Sequence, residues 1–139
     1  MKVHHVGYFV NNIEEARDGF LRLGYRESSP CFFDDLRKIF VQFLISEETQ
    51  GGDPITVELV AAGEGCTLFN KKMQSLGNMP YHICYECGDL DESIAELRQQ
   101  HFLVVREPQP ACGLGNRRIA FLYSKAVGLI ELVECKGEC

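Results

Sequence analysis

Two stretches of the chain carry one pattern. Val3-His4-His5-Val6-Gly7-Tyr8-Phe9-Val10 runs into Asn11-Asn12-Ile13-Glu14-Glu15-Ala16, and Pro80-Tyr81-His82-Ile83-Cys84-Tyr85-Glu86-Cys87 runs into Gly88-Asp89-Leu90-Asp91-Glu92-Ser93. His5 maps onto His82 at an offset of 77, which also carries Ile13 onto Leu90, Glu15 onto Glu92, Phe20 onto Leu97 and Tyr25 onto Phe102. Phe43-Leu44-Ile45-Ser46 returns as Phe121-Leu122-Tyr123-Ser124 at an offset of 78, and Val57-Glu58-Leu59-Val60 as Ile130-Glu131-Leu132-Val133 at 73. The drift in offset reads as loop-length change: a long polar hairpin over Glu47 to Asp53 against a short one over Ala126 to Gly128. Two copies are too few for a solenoid. They predict a pseudo-twofold domain.

Each copy reads strand, cap, helix, then three strands. Asn12 and Asp89 are placed as helix N-caps, followed by acids that oppose the helix dipole. Ile13, Ala16, Phe20 and Leu21 recur at helical spacing, as do Leu90, Ile94 and Leu97. Gly24 ends the first helix, and His101 is placed as the cap of the second. The expected architecture is α+β: two βαβββ modules forming a curled eight-stranded sheet. A single domain over 1–139 comprises module one at about 1–63, a connector at 64–79 and module two at about 80–135. Helical spacing at Leu68, Lys72 and Leu76 predicts a short helix in the connector.

Composition narrows the function classes. The 139 residues carry a formal charge of −6, and no basic run exceeds two residues. Nucleic-acid binding by phosphate neutralisation is therefore not expected. No apolar stretch approaches the ~20 residues needed to cross a bilayer, and the first ten residues lack the apolar core of a signal peptide. Seven cysteines, an odd number, argue against a complete disulfide framework and read as reduced thiols of a cytoplasmic protein. Cys84 and Cys87 with Cys135 and Cys139 could form a zinc site, but residues three apart in a strand point to opposite faces.

The chemistry sits at equivalent positions. With a period of two, Val57 and Leu59 share one strand face and Glu58 takes the other; Ile130 and Leu132 share one face and Glu131 takes the other. The apolar face is expected to meet the helix, which turns each acid toward the inside of the sheet's curve. His5 and His82 begin strands of the same kind, and His4 points away from His5. An uncompensated buried carboxylate costs several kcal/mol or neutralises itself. Two acids and two imidazoles at matched places call for a shared compensator. A divalent metal held by His5, Glu58, His82 and Glu131 fits, with Zn, Ni, Co, Mn or Fe suited to such a donor set.

These motifs, with Asn116-Arg117-Arg118-Ile119-Ala120-Phe121-Leu122 and Gly128-Leu129-Ile130-Glu131-Leu132-Val133, resemble the vicinal oxygen chelate superfamily, in its glyoxalase I and methylmalonyl-CoA epimerase branch, over roughly residues 3 to 135. The resemblance implies paired βαβββ modules and the four ligands already named, with Ni, Co or Zn ahead of Mn or Fe. It implies a metal-dependent lyase or isomerase in which Glu131 and Glu58 move protons on opposite faces of an enediolate, Glu131 being the principal base.

The His/Glu/His/Glu set resembles glyoxalase I, which isomerises a 2-oxoaldehyde–thiol hemithioacetal. Epimerases usually carry Gln at the Glu58 position, and their separate second base falls, by this resemblance, on Gln42. Glutathione-dependent glyoxalases carry an Arg where Glu15 stands here; Arg17 lies roughly 200° around the helix. A hemithioacetal lyase is thus the leading expectation, racemisation of a 2-methylacyl-CoA the first alternative, and a metal-free binding or resistance protein of the same fold the second. A ring-cleaving dioxygenase would want two His and one carboxylate around iron. Gln42, Arg117, Arg118 and Lys125 are the candidates to contact an anionic substrate, and Tyr8, Tyr81 and Phe121 to wall a pocket. A homodimer is the expected assembly.

Overall fold

A computed structural model describes residues 1–47 and 52–137; the tip of the long hairpin at 48–51 and the chain end at 138–139, Cys139 included, lie outside the described residues. Each βαβββ module opens with a strand and a capped helix. In the first, β1 (Lys2–Phe9) leads into α1 (Ile13–Arg22). The Asn12 side chain accepts from the Glu15 amide at 2.9 Å, a cap worth about 1 kcal/mol, and Glu14 and Glu15 complement the helix dipole. Leu23 closes the helix and Gly24 follows at φ 95°, a value glycine adopts without cost. β2 (Tyr25–Glu27), β3 (Phe32–Asp34), β4 (Ile39–Ser46) and β5 (Thr56–Ala62) complete the module, and a short α2 (Lys71–Leu76) occupies the connector.

The second module repeats the plan with β6 (Met79–Cys87), α3 (Leu90–Gln99), β7 (Leu103–Ala111), β8 (Arg117–Ser124) and β9 (Gly128–Glu134). Asp89 caps α3 as Asn12 caps α1, accepting from the Glu92 amide at 2.9 Å. His101 follows α3 at φ 69°, its amide donating to the Arg98 carbonyl. By compactness the chain divides into residues 5–81 and residues 82–139 together with 1–4.

The pairing is mixed in both modules. β1 runs parallel to β5, β5 antiparallel to β4, and β4 antiparallel to both β2 and β3. β6 runs parallel to β9, β9 antiparallel to β8, and β8 antiparallel to β7. Nine strands result among the described residues, one more than expected. The extra one has a local origin. The outer strand of module two, β7, runs unbroken for nine residues, whereas its counterpart is interrupted at 28–31 and so counts as β2 and β3.

Each helix packs on one sheet face. Beneath α1, Ile13 and Ala16 meet Val10, Leu44, Val57, Leu59 and Ala61; beneath α3, Leu90 and Ile94 meet Cys87, Ala120, Leu122, Ile130 and Leu132. Leu44, Leu59, Leu122 and Leu132 have no exposed surface, which is worth about 1.5–3 kcal/mol for each. Tyr8 belongs to this layer, edge-on to Phe20, and Tyr81 packs edge-on to Phe69. Neither is placed as a pocket wall.

Candidate functional site

The strand period that sends Val57, Leu59, Ile130 and Leu132 under the helices sends the two glutamates to the other face. In module one, β1 presents His5, 1% exposed, and β5 presents Glu58. His5 Nε2 lies 3.6 Å from Glu58 Oε1. Phe43 stands directly opposite Glu58 in the β4–β5 register and packs its ring edge-on against His5 at 5.6 Å.

Module two repeats the arrangement. β6 presents His82, β9 presents Glu131, both buried, and His82 Nε2 lies 2.8 Å from Glu131 Oε2. Phe121 stands opposite Glu131 and packs edge-on against His82 at 5.3 Å. Each module therefore places one imidazole–carboxylate pair beside one phenylalanine; His5, His82 and Glu131 are buried, and Glu58 keeps 13% of its side chain exposed. A buried carboxylate is tolerated only with such a partner or a cation. His5, Glu58, His82 and Glu131 each offer a nitrogen or oxygen that could ligate a metal ion. Each pair offers one imidazole nitrogen and one carboxylate oxygen, donors suited to a divalent ion.

The candidate substrate contacts fare differently. Gln42 pairs with Leu59 in the β4–β5 register, so it sits on the face beneath α1, opposite to Phe43 and Glu58. It is 2% exposed, and its Nε2 donates to Glu27 Oε1 and to the Ser29 carbonyl, both at 3.0 Å. Its placement as a substrate contact is corrected on that ground. The sequence concealed this because Ile39 to Ile45 is apolar on both faces apart from Gln42, leaving the period of two without a direction.

Arg117 and Arg118 are engaged within the compact unit formed by residues 82–139 and 1–4. Arg117 donates to the carbonyls of Leu114 (3.2 Å) and Glu134 (3.0 Å) and to Glu86 Oε1 (3.3 Å), and its Nη2 lies 3.1 Å from His4 Nε2. Arginine has no acceptor atom, so this contact assigns His4 Nε2 as the acceptor. Arg118 binds Glu134 Oε1 at 2.7 Å through Nε and Asp91 Oδ2 at 3.0 Å through Nη2, joining β8 to β9 and to the first turn of α3. Those bonds raise the Arg118 pKa and hold the Glu134 carboxyl below its ordinary value. Lys125 lies exposed in the β8–β9 turn.

Phe43 is a site residue that the sequence reading missed; the signal available was its equivalence to Phe121. Asp34 is a buried acid on the strand face of Ile39, Val41 and Phe43, with a structural role. It anchors the β3–β4 turn, accepting from the Arg37 amide at 3.1 Å and from Arg37 Nη1 at 2.8 Å.

Cys31, Cys66, Cys84, Cys87 and Cys112 are free thiols, but Cys135 is disulfide-bonded, which corrects the reading of all seven as reduced. Burial raises the Cys87 pKa. Among the described residues no helix is long and apolar enough to cross a membrane.

A family model described as glyoxalase/bleomycin resistance protein/dioxygenase superfamily matches residues 4–121. No curated protein matches the sequence. Among solved structures, a methylmalonyl-CoA epimerase from Mycobacterium tuberculosis is 24% identical with a TM-score of 0.78, the match covering 97% of this chain and 88% of that one. A Streptomyces coelicolor methylmalonyl-CoA epimerase variant in complex with 2-nitronate-propionyl-CoA is 19% identical with a TM-score of 0.79, covering 99% of both chains. A hypothetical protein from Bacillus halodurans is 22% identical with a TM-score of 0.78, covering 99% and 96%. The chain shares their α+β fold.

Proposed function

Because the chain belongs to the glyoxalase/bleomycin resistance protein/dioxygenase superfamily, we propose that it is a metal-dependent enzyme that moves a proton on carbon next to a carbonyl. The observation that carries this reading is the His–Glu pair built twice at equivalent positions, with both imidazoles and the Glu131 carboxylate buried. In it, His5, Glu58, His82 and Glu131 hold one divalent cation, Ni, Co or Zn ahead of Mn or Fe. When bound, that cation supplies Lewis acidity at the carbonyl oxygen, worth several kcal/mol of transition-state stabilisation.

The chain's own residues do the rest. The Glu131 carboxylate takes the proton from carbon, and the C–H electron pair passes into the enolate. Glu58, protonated at the start of the turnover, gives its proton to the other face; Glu131 then releases its proton to solvent and Glu58 takes one up before the next turnover. The reaction is an isomerisation with no net change in protons or electrons. Phe43 and Phe121 wall the two pairs and keep water from quenching the enolate.

The substrate class favoured is a 2-methyl-branched acyl-CoA, racemised at the carbon between its carbonyls. The support is the fold shared with methylmalonyl-CoA epimerase structures. A glyoxalase I-type hemithioacetal lyase is the second reading, and Glu58 favours it, since epimerases usually carry Gln there. The sequence reading ranked these two in the reverse order. A homodimer accompanies either reading, and sedimentation of the purified chain reports it.

The test loads metal-stripped protein with Ni, Co, Zn and Mn in turn. Each form is assayed for deuterium wash-in at methylmalonyl-CoA and for thioester formation from methylglyoxal with several thiols. Wash-in with one cation bound per chain supports the first reading, and thioester formation supports the second. Neither activity, together with no bound cation, overturns both in favour of a binding protein.

A further inference from the structure

The layer under α1 contains a polar chain that the layer under α3 lacks. Arg17 Nε lies 3.5 Å from Glu27 Oε1, and the same oxygen accepts from Gln42 Nε2. The equivalent positions in module two are Ile94, Val104 and Ala120, all in the apolar layer under α3. The equivalence holds in the pairing as well as in the sequence: Glu27 faces Leu44 where Val104 faces Leu122, and Gln42 faces Leu59 where Ala120 faces Leu132. Gln42 is nine-tenths buried and more, and its Oε1 has no hydrogen-bond partner among the described residues. Such an acceptor weakens the fold, and alanine at the matched position of module two avoids it. Its Nε2 donates to Glu27 Oε1 and to the Ser29 carbonyl, which gives the glutamine a role that alanine cannot fill.

The break in the outer strand supplies that role. β2 stops at Glu27 and β3 starts at Phe32, so residues 28–31 form a strap beside Phe43. Phe43 depends on the strap for its outer backbone bonds. Its amide donates to Ser29 Oγ at 2.9 Å, and its carbonyl accepts from the amides of Ser28 and Ser29 at 2.9 and 3.2 Å. Gln42 fixes the strap from the other side of the sheet by donating to the Ser29 carbonyl. Phe43 in turn carries the ring that packs on His5. In module two β7 continues past Phe121, with Arg106 as its partner between two register shifts, and no such clamp is present among the described residues.

We propose that Gln42 is a positioning residue for the His5–Glu58 pair, acting through Ser29 and Phe43 to set the ring against which His5 is aligned. Its connection to metal binding rests on the metal-centre reading above; its connection to the His5 ring does not. Two readouts separate them. In protein labelled with nitrogen-15 at histidine, imidazole spectra of the metal-free chain report His5 and His82 side by side. Gln42→Ala, which gives module one the residue of module two, is expected to move the His5 ring signals and leave those of His82 in place. Ser29→Ala, a milder change that removes only the hydroxyl under Phe43, is expected to act in the same direction. Glu27→Gln keeps the accepting oxygen and is expected to leave His5 as it was. Gln42→Ala is also expected to raise the cation dissociation constant, by less than the roughly tenfold lost with a direct hydrogen bond to a ligand, because it acts through Ser29 and Phe43. The inference is overturned if His5 stays put in both Gln42→Ala and Ser29→Ala, or if His5 and His82 move alike. A wild-type chain that binds no cation overturns the metal-centre reading alone, and the ring signals still decide the role of Gln42.

Discussion

The two modules agree on one face of the sheet and diverge on the other. On the inner face both carry a histidine, a glutamate and a phenylalanine in the same register. On the helix side the polar groups have changed places. Module one puts the buried Gln42 on this side, linked to the exposed Glu27 and through it to Arg17, and sets Phe40 against Phe33 with ring centroids 5.0 Å apart. Module two puts Ile94, Val104 and Ala120 in the middle and Arg118, held by Glu134 and Asp91, at the end. The same backbone accepts either filling, although that of module one leaves Gln42 Oε1 without a hydrogen-bond partner among the described residues. The pairs themselves differ by degree: His82 and Glu131 are 2.8 Å apart with the carboxylate 3% exposed, against 3.6 Å and 13% for His5 and Glu58.

The largest effect expected tests that asymmetry. Glu131→Gln, assayed with its metal content measured, should lower turnover about 10²–10⁴-fold, the range for losing a general base. Glu58→Gln should cost less. Equal losses would make the two pairs interchangeable, and normal turnover in metal-loaded Glu131→Gln would reject its role as base.

Next comes the exchange of layers. Ala120→Gln buries an amide under α3 where no strap awaits it, and should destabilise by about 3 kcal/mol in urea unfolding. Gln42→Ala leaves a small gap but removes an unpartnered acceptor, and should cost about 1 kcal/mol. A reversed order would show that the helix-side layers are not independent fillings.

Metal removal should be comparable or slightly smaller. Chelation from a solution holding cation at a hundred times its dissociation constant should lower stability by about 2.7 kcal/mol. His5→Ala and His82→Ala should each abolish that difference. A difference that survives either change would place the cation elsewhere.

The smallest effect concerns acid. Bonds from Arg118 hold the Glu134 carboxyl below its ordinary value. A lowered carboxyl stabilises the fold above its unfolded value, and that stability is lost as pH falls through the folded one. Melting temperature should therefore drop as pH falls through and below the ordinary carboxylate range, and Glu134→Gln should flatten that limb. The position equivalent to Glu134 in module one is Ala61, so no matching limb arises there.

Much of this was legible from the repeat. Asn12 and Asp89 capped their helices as their side chains required. A period of two sent Val57, Leu59, Ile130 and Leu132 under the helices. The direction of β4 was not legible, because a strand apolar on both faces has no preferred side until it pairs. The fate of Arg117 and Arg118 was hidden for a related reason. Adjacent arginines after a glycine loop look solvated, and their partners Glu86, Asp91 and Glu134 come from strands and a helix far along the chain.

The sequence by itself determined that the chain folds as two like modules and which face of each carries the imidazole and the carboxylate. Helix caps and strand alternation are short-range rules, satisfied within a few residues. Tertiary structure alone decided the break that makes nine strands, the side on which Gln42 falls and the partners of the arginines. Those depend on which distant backbone supplies the hydrogen bonds, and no local pattern encodes that.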